Sequence, residues 1–195
     1  MIKGSEKRST QHPVNPFFVD RWSPRGMTGE AVSEAELHGL FEAARWAPSA
    51  NNQQPWRFLY ARRDTSHWDT YVNLLFDGNR LWAQRAGALL LIVSHTFNEA
   101  LKKPSSSNSF DAGAAWQNLA LQGYHSGLAI HGMGGFDKER ARELLKIPEI
   151  YHLEMMVAVG RPGPVDHLPE GLQARETPND RRPYNQTVCE GVFSL

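Results

Sequence analysis

Hydrophobic positions along this chain recur with two periods, and the alternation between them predicts a mixed set of helices and strands. A helix opens at Ser33, where Ser33-Glu34-Ala35-Glu36 forms a capping box, each end satisfying an amide of the other. Leu37, Leu40, Phe41, Ala44 and Ala47 then fall on one face at helical spacing until Pro48 ends the run. Phe58 to Ala61 predicts a short strand. Trp68, Tyr71, Val72 and Leu75 predict a second helix stopped by Asp77-Gly78, followed by a short helix over about 81–85 and a buried strand over 88–93. The longest helix is expected over about 110–125. Ala112, Ala115, Trp116, Leu119 and Gly123 share one face, while Ala114, Ala120 and Leu121 keep the other side apolar, so it is expected to be central and covered nearly all round. Gly127 closes it. Further strands are expected over 128–131 and 155–159, with a helix capped by Asp137 and running to Leu145 between them. Trp46, Trp82 and Trp116 stand at helical positions and read as core.

The two ends are patterned differently. Residues 1–16 are polar and punctuated by proline, which predicts a loose N-terminal arm. Residues 103–108 form a serine-rich loop, expected to be mobile. From Gly160 onward the chain is rich in proline, glycine and charge, with a strand-like stretch at 188–193. Residues 161–195 have too few apolar positions to build a core, and are expected to drape over the body or over a partner subunit. Strands too few and too unevenly spaced for a doubly wound sheet point to an α+β, three-layer arrangement in one domain spanning 1–195. There is no internal repeat.

Composition narrows the picture by exclusion. The formal net charge is +0, so nothing global suits nucleic acid or an anionic membrane surface. The single Cys189 excludes an internal disulfide framework and fits a reducing compartment. The longest apolar run, Ala86 to Val93, is too short to span a bilayer and no N-terminal apolar segment is present, so a cytoplasmic protein is expected.

Four clusters are candidates for chemistry. In Pro48-Ser49-Ala50-Asn51-Asn52-Gln53-Gln54-Pro55-Trp56, two prolines stiffen a block of amides and hydroxyls, each amide carrying donors and an acceptor. Such a loop suits the rim of a flat polar heterocycle; a helix-to-strand connector has the same composition. In Arg21-Trp22-Ser23-Pro24-Arg25 an extended chain would put both guanidinia and the hydroxyl on one side, a grip for phosphate or a surface arm of ion pairs. Asn179-Asp180-Arg181-Arg182-Pro183 offers a second pair of arginines, or a solvated charge run. His131-Gly132-Met133-Gly134-Gly135-Phe136-Asp137 brings flexible backbone before a helix start, but lacks the third glycine and the surrounding βαβ unit of a dinucleotide fingerprint. His131 itself reads as a packed strand residue. No HExxH pair, zinc ligand set or GxSxG elbow is present.

Taken in order, these clusters resemble the FMN-dependent nitroreductase family over most of the chain, and Asp111-Ala112-Gly113-Ala114-Ala115-Trp116-Gln117-Asn118-Leu119 is similar to that family's central helix. The resemblance implies a mostly antiparallel sheet flanked by helices, with extended arms, the C-terminal one embracing a second subunit. It implies FMN at the interface of a homodimer and NAD(P)H as hydride donor. The acceptor would be a nitroaromatic, a quinone or a similar small molecule, reduced by a ping-pong mechanism. No side chain need act as nucleophile. Arg21, Trp22, Ser23 and Arg25 would form the N-terminal grip, Arg25 steadying charge on the reduced flavin, and Arg181 with Arg182 would reach the phosphate from the tail. Pro48, Ser49, Asn52 and Gln54 would line the ring from the partner subunit, Met133, Gly134 and Gly135 would lie beside its reactive N5, and Asn79 would supply a polar contact. The chain departs from several relatives in having Ala50 for a serine, which removes one hydrogen bond, and from some in having Gly134 for a glutamate, which leaves the surface facing donor and substrate unspecified. A non-enzymatic FMN store or sensor, or a same-fold enzyme for reductive dehalogenation or enal reduction, is the alternative.

Overall fold

A computed structural model describes residues 1–194. A four-stranded antiparallel sheet, in the order β1-β2-β6-β5, forms the middle layer. Its strands are β1 (Trp56–Arg62), β2 (Ala88–His95), β5 (Ala129–Met133) and β6 (Tyr151–Gly160); β3 (Phe97–Asn98) and β4 (Lys103–Pro104) make a separate two-stranded ribbon. The helices are α1 (Pro16–Asp20), α2 (Glu34–Arg45), α3 (Trp68–Leu74), α4 (Asp77–Ala83), α5 (Asn108–His125), α6 (Lys138–Leu144) and α7 (Glu170–Gln173). Among the described residues no helix is long and apolar enough to cross a membrane.

Residues 88–93 of β2 and 155–159 of β6 are unbroken apolar runs because helices cover both faces. On β2, Ala88, Leu90 and Ile92 face a core built with Leu37, Leu40 and Ala44 of α2 and Ala115, Leu119 and Ala120 of α5. The alternate residues Leu89, Leu91 and Val93 face Tyr71 and Leu74 of α3, Trp82 of α4 and Ala141 of α6. This is the expected three-layer α+β architecture. One irregularity matters: β2 and β6 shift register between Ile92, opposite Met155, and Val93, opposite Leu153. Glu154 is therefore unopposed, and accepts hydrogen bonds from the hydroxyls of Ser94 and Ser109.

The capping box is present, with Glu36 N donating to Ser33 Oγ at 3.2 Å and Ser33 N to Glu36 Oε2 at 2.8 Å. Asp137 caps α6 by accepting from Arg140 N at 2.9 Å. Other expectations are corrected. Asp77-Gly78 starts α4 rather than ending a helix: Phe76 is extended (φ −66, ψ 154), and an aspartate in the first turn suits the positive end of the helix dipole. Residues 103–108 are partly ordered as strand β4, Phe97 pairing with Pro104. Residues 188–193 form no strand; the segment is exposed, and Gly191 turns it with φ 78. The N-terminal arm is pinned, not loose, since Arg8 donates to the carbonyls of Val19 (2.6 Å) and Arg21 (2.8 Å). Trp82 is core, but Trp46 is 71 % exposed, its indole N–H donating to Glu42 at 2.9 Å, and Trp116 is half-buried. The outer side of α5 is open in the single chain, with Phe110 83 % exposed and Gly113 and Gln117 at the surface.

Candidate functional site

The chain leaves α1 in extended conformation at Arg21 (φ −66, ψ 129), so residues 21, 23 and 25 alternate with residues 22 and 24. Trp22 turns inward: it is buried, and its indole N–H is held by the Ile2 carbonyl at 2.9 Å. Arg21 and Ser23 meet, Nη1 donating to Oγ at 3.2 Å. Together with Arg25 they line a cleft of about 510 Å³, whose far wall comes from the C-terminal segment, including Arg175, Thr177, Asn179 and Arg181. The tail is tied to this wall by Arg8, whose Nε donates to the Asn179 carbonyl at 2.7 Å. Among the described residues no acidic side chain lines the cleft itself, and Glu176 lies behind Arg25. Burial, and then the neighbouring guanidinia of Arg8 and Arg181, push the Arg21 pKa below its ordinary value. Guanidinia crowded in this way call for an anion, and their forked donors with the Ser23 hydroxyl match a phosphate.

His131, on β5, forms part of the floor. Its Nδ1–H donates to the Pro24 carbonyl at 3.1 Å and its ring packs on Trp82 with centroids 4.5 Å apart. Burial first, then the charges of Arg25 and Arg21, outweigh the bonds to backbone carbonyls and lower its pKa to about 4, so the ring is neutral near pH 7. Arg8, His131 and Arg175 carried no signal as cleft residues in the sequence. The first and last are single arginines outside any motif, and the period-2 alternation of β5 puts His131 on the face of buried Met133.

The proline-bracketed loop lies elsewhere. Asn51, Asn52 and Gln54 all have positive φ (53, 54 and 49), a conformation that costs most for the glutamine. The loop's side chains lock it: Ser49 Oγ accepts from Gln54 N, and Gln54 Nε2 donates to Asn52 Oδ1, both at 3.0 Å. It is fastened to the start of α5, where the buried Asp111 accepts from Ala50 N at 3.2 Å and from Ser107 Oγ at 3.1 Å. Asn51, Asn52 and Gln53 line a separate depression of about 280 Å³ with His95 and Tyr151. Within one chain, neither Pro48 nor any other residue of this loop lines the arginine cleft.

The turn from β5 to α6 has one closed and one open position. The Gly135 carbonyl accepts from Asn79 Nδ2 at 3.0 Å and from Phe76 N at 3.2 Å, and a Cβ at 135 would stand 2.8 Å from Asn79 Nδ2. Asn79 thus secures the turn. Met133 is buried beneath it, whereas a Cβ added to the exposed Gly134 would meet nothing within 4 Å. Arg181 also lines a groove between the two arms, with residues 9–14 opposite, and Arg182 lines that groove but not the cleft.

Known proteins share this fold. The Nitroreductase family model matches residues 19–79 and 73–161. A Streptomyces coelicolor protein provisionally named NADH dehydrogenase/NAD(P)H nitroreductase is 29 % identical over 176 residues, covering 78 % of this chain and 86 % of its own. The Thermus thermophilus NADH dehydrogenase is 29 % identical over 191 residues, covering 84 % and 91 %. Among solved structures, an oxidoreductase containing FMN is 43 % identical and superimposes with a TM-score of 0.92 over 96 % of both chains. A Desulfovibrio desulfuricans protein in complex with FMN is 26 % identical, with a TM-score of 0.71 over 95 % of this chain and 100 % of its own. Fold, motif order and family match agree, and the chain belongs to the nitroreductase family of oxidoreductases.

Proposed function

We propose that this protein binds FMN and passes a hydride from NAD(P)H to a small oxidised acceptor such as a nitroaromatic or a quinone, working as a homodimer with FMN at the interface. The observation that carries this reading is the convergence of Arg21, Ser23 and Arg25 with Arg181, from opposite ends of the chain, on one cleft without an acidic wall. The donor set fits FMN: guanidinia and a hydroxyl for the phosphate, and Arg25 for the electron-rich edge of the ring. FMN, when bound, supplies a two-electron carrier that the protein's own side chains do not offer. Arg21, Ser23 and Arg181 hold the phosphate, and Arg25 favours the form of the cofactor that carries more negative charge. His131, neutral and hydrogen-bonded to backbone, shapes the floor without adding charge. The bare Gly134 leaves room beside the turn for donor and acceptor in succession, as ping-pong exchange requires.

Two features support the dimer. The Ser49–Gln54 loop is locked in place, yet does not line the cleft of Arg21, Arg25 and Arg181 in its own chain, as expected if it completes the partner's site. The open side of α5 presents Phe110, a large exposed apolar side chain of the kind that a second subunit covers. The first test is the visible spectrum of the purified protein, recorded anaerobically before and after NADPH. Flavin bands that bleach are expected. A colourless protein that takes up no added FMN refutes the reading, and bands that persist with both NADH and NADPH refute the nicotinamide donor.

A further inference from the structure

Glu176 lies just beyond α7, yet its carboxylate reaches back to the N-terminal grip. Its side chain is only 5 % exposed. Oε1 accepts from the backbone amides of both Arg25 and Gly26, the latter at 2.7 Å. Oε2 stands 3.5 Å from Arg25 Nη1 and has no hydrogen-bond partner among the described residues. The segment it grips has little slack: Gly163 N donates to the Gly26 carbonyl at 2.9 Å, and a Cβ at Gly26 would come within 2.9 Å of the Gly163 carbonyl oxygen. Arg25 keeps 19 % of its side chain exposed, at the wall of the cleft.

We propose that Glu176 is a positioning residue that fixes Arg25 toward the cofactor and sets the cofactor's redox potential; this rests on the FMN reading above. A carboxylate this deeply buried strongly disfavours any movement of Arg25 that leaves it unpaired. The pair also divides the arginine's charge. An unshared guanidinium would stabilise the reduced, more negative cofactor more strongly than one already facing a carboxylate, so the native pair holds the potential lower than Arg25 alone would. The same residue brings the C-terminal segment to the cleft, since Arg181 follows it by five positions. One side chain therefore coordinates both halves of the grip.

The substitution Glu176→Gln separates charge from geometry, because the amide oxygen still accepts from Arg25 N and Gly26 N while the negative charge is lost. Midpoint potentials of FMN-loaded wild type and E176Q are measured by reductive titration against a reference dye, with FMN stoichiometry and thermal melting recorded alongside. Expected is full FMN occupancy in both, with the E176Q potential raised by about a tenfold change in the oxidised-to-reduced equilibrium, about 30 mV for a two-electron couple. Equal potentials overturn the role of Glu176, as does a folded E176Q that binds no FMN. Wild type without FMN overturns the functional reading itself, and this proposal with it. Should E176Q fail to fold, Glu176→Asp is used instead, which keeps the charge but shortens its reach to Arg25 and to the two amides. A raised potential supports the proposal, and an unchanged one overturns it.

Discussion

His131 shows how one enclosed ring links the cleft to the behaviour of the whole protein in acid. In the unfolded chain it takes a proton near pH 6.5, and in the folded one only near pH 4. Between these values the unfolded state holds more protons, so stability falls as pH drops from about 6.5 to about 4, by up to about 3 kcal/mol for this group. Urea midpoints at pH 7 and pH 5 should therefore differ less in His131→Asn than in wild type, and an equal difference would remove His131 as the cause. Gly123 makes a steric prediction. An added Cβ would stand 2.2 Å from Ile130 Cγ1, a clash with the inner part of a buried side chain. Alanine gains up to about 1 kcal/mol in helix propensity but pays about 1–3 kcal/mol for overpacking, so Gly123→Ala should lower stability in urea denaturation. Single tryptophans were less legible. Trp46 and Trp82 both stand at helical positions, but Trp46 follows the last turn of α2, where its ring folds back over Glu42 and Arg45 instead of entering the core.

At the level of elements, local signals and burial worked together where an element packs on the sheet. The capping box and one apolar face were enough to locate α2. Ser33→Ala should cost about 1 kcal/mol, read as a lower thermal midpoint. The failures lie where local chemistry permits two outcomes. Asp77-Gly78 stops one helix as readily as it starts another, and the extended Phe76 decides for α4. Residues 188–193 have strand-like composition but find no strand to pair with in the described structure. The apolar girth of α5 was legible, but one chain covers only half of it. Phe110→Asp should then shift sedimentation from dimer toward monomer and weaken FMN binding together, since each site would lose the partner's loop. A variant that remains dimeric would place the interface elsewhere.

Across the whole molecule, motif order was readable but assembly was not. Arg21, Ser23 and Arg25 are near neighbours, so extended geometry alone predicts their common side. That Arg181 reaches the cleft while the adjacent Arg182 lines only the neighbouring groove depends on how the tail crosses the body, which no local pattern encodes. Arg181→Ala should weaken FMN binding at least tenfold, in line with about 1.5–3 kcal/mol for a charge-assisted hydrogen bond, while leaving the apoprotein melt near that of wild type. Unchanged affinity in a fluorescence titration would exclude the tail from the grip. The separation of the two walls, roughly 160 residues along the chain, also imposes an order on biosynthesis. Every strand of the central sheet has been translated once the ribosome has passed Gly160, whereas Glu176 and Arg181 have yet to emerge. The nascent body can thus collapse before its cleft is complete, and the FMN proposed for that cleft would meet a sheet already formed, closing a gap between an early and a late segment.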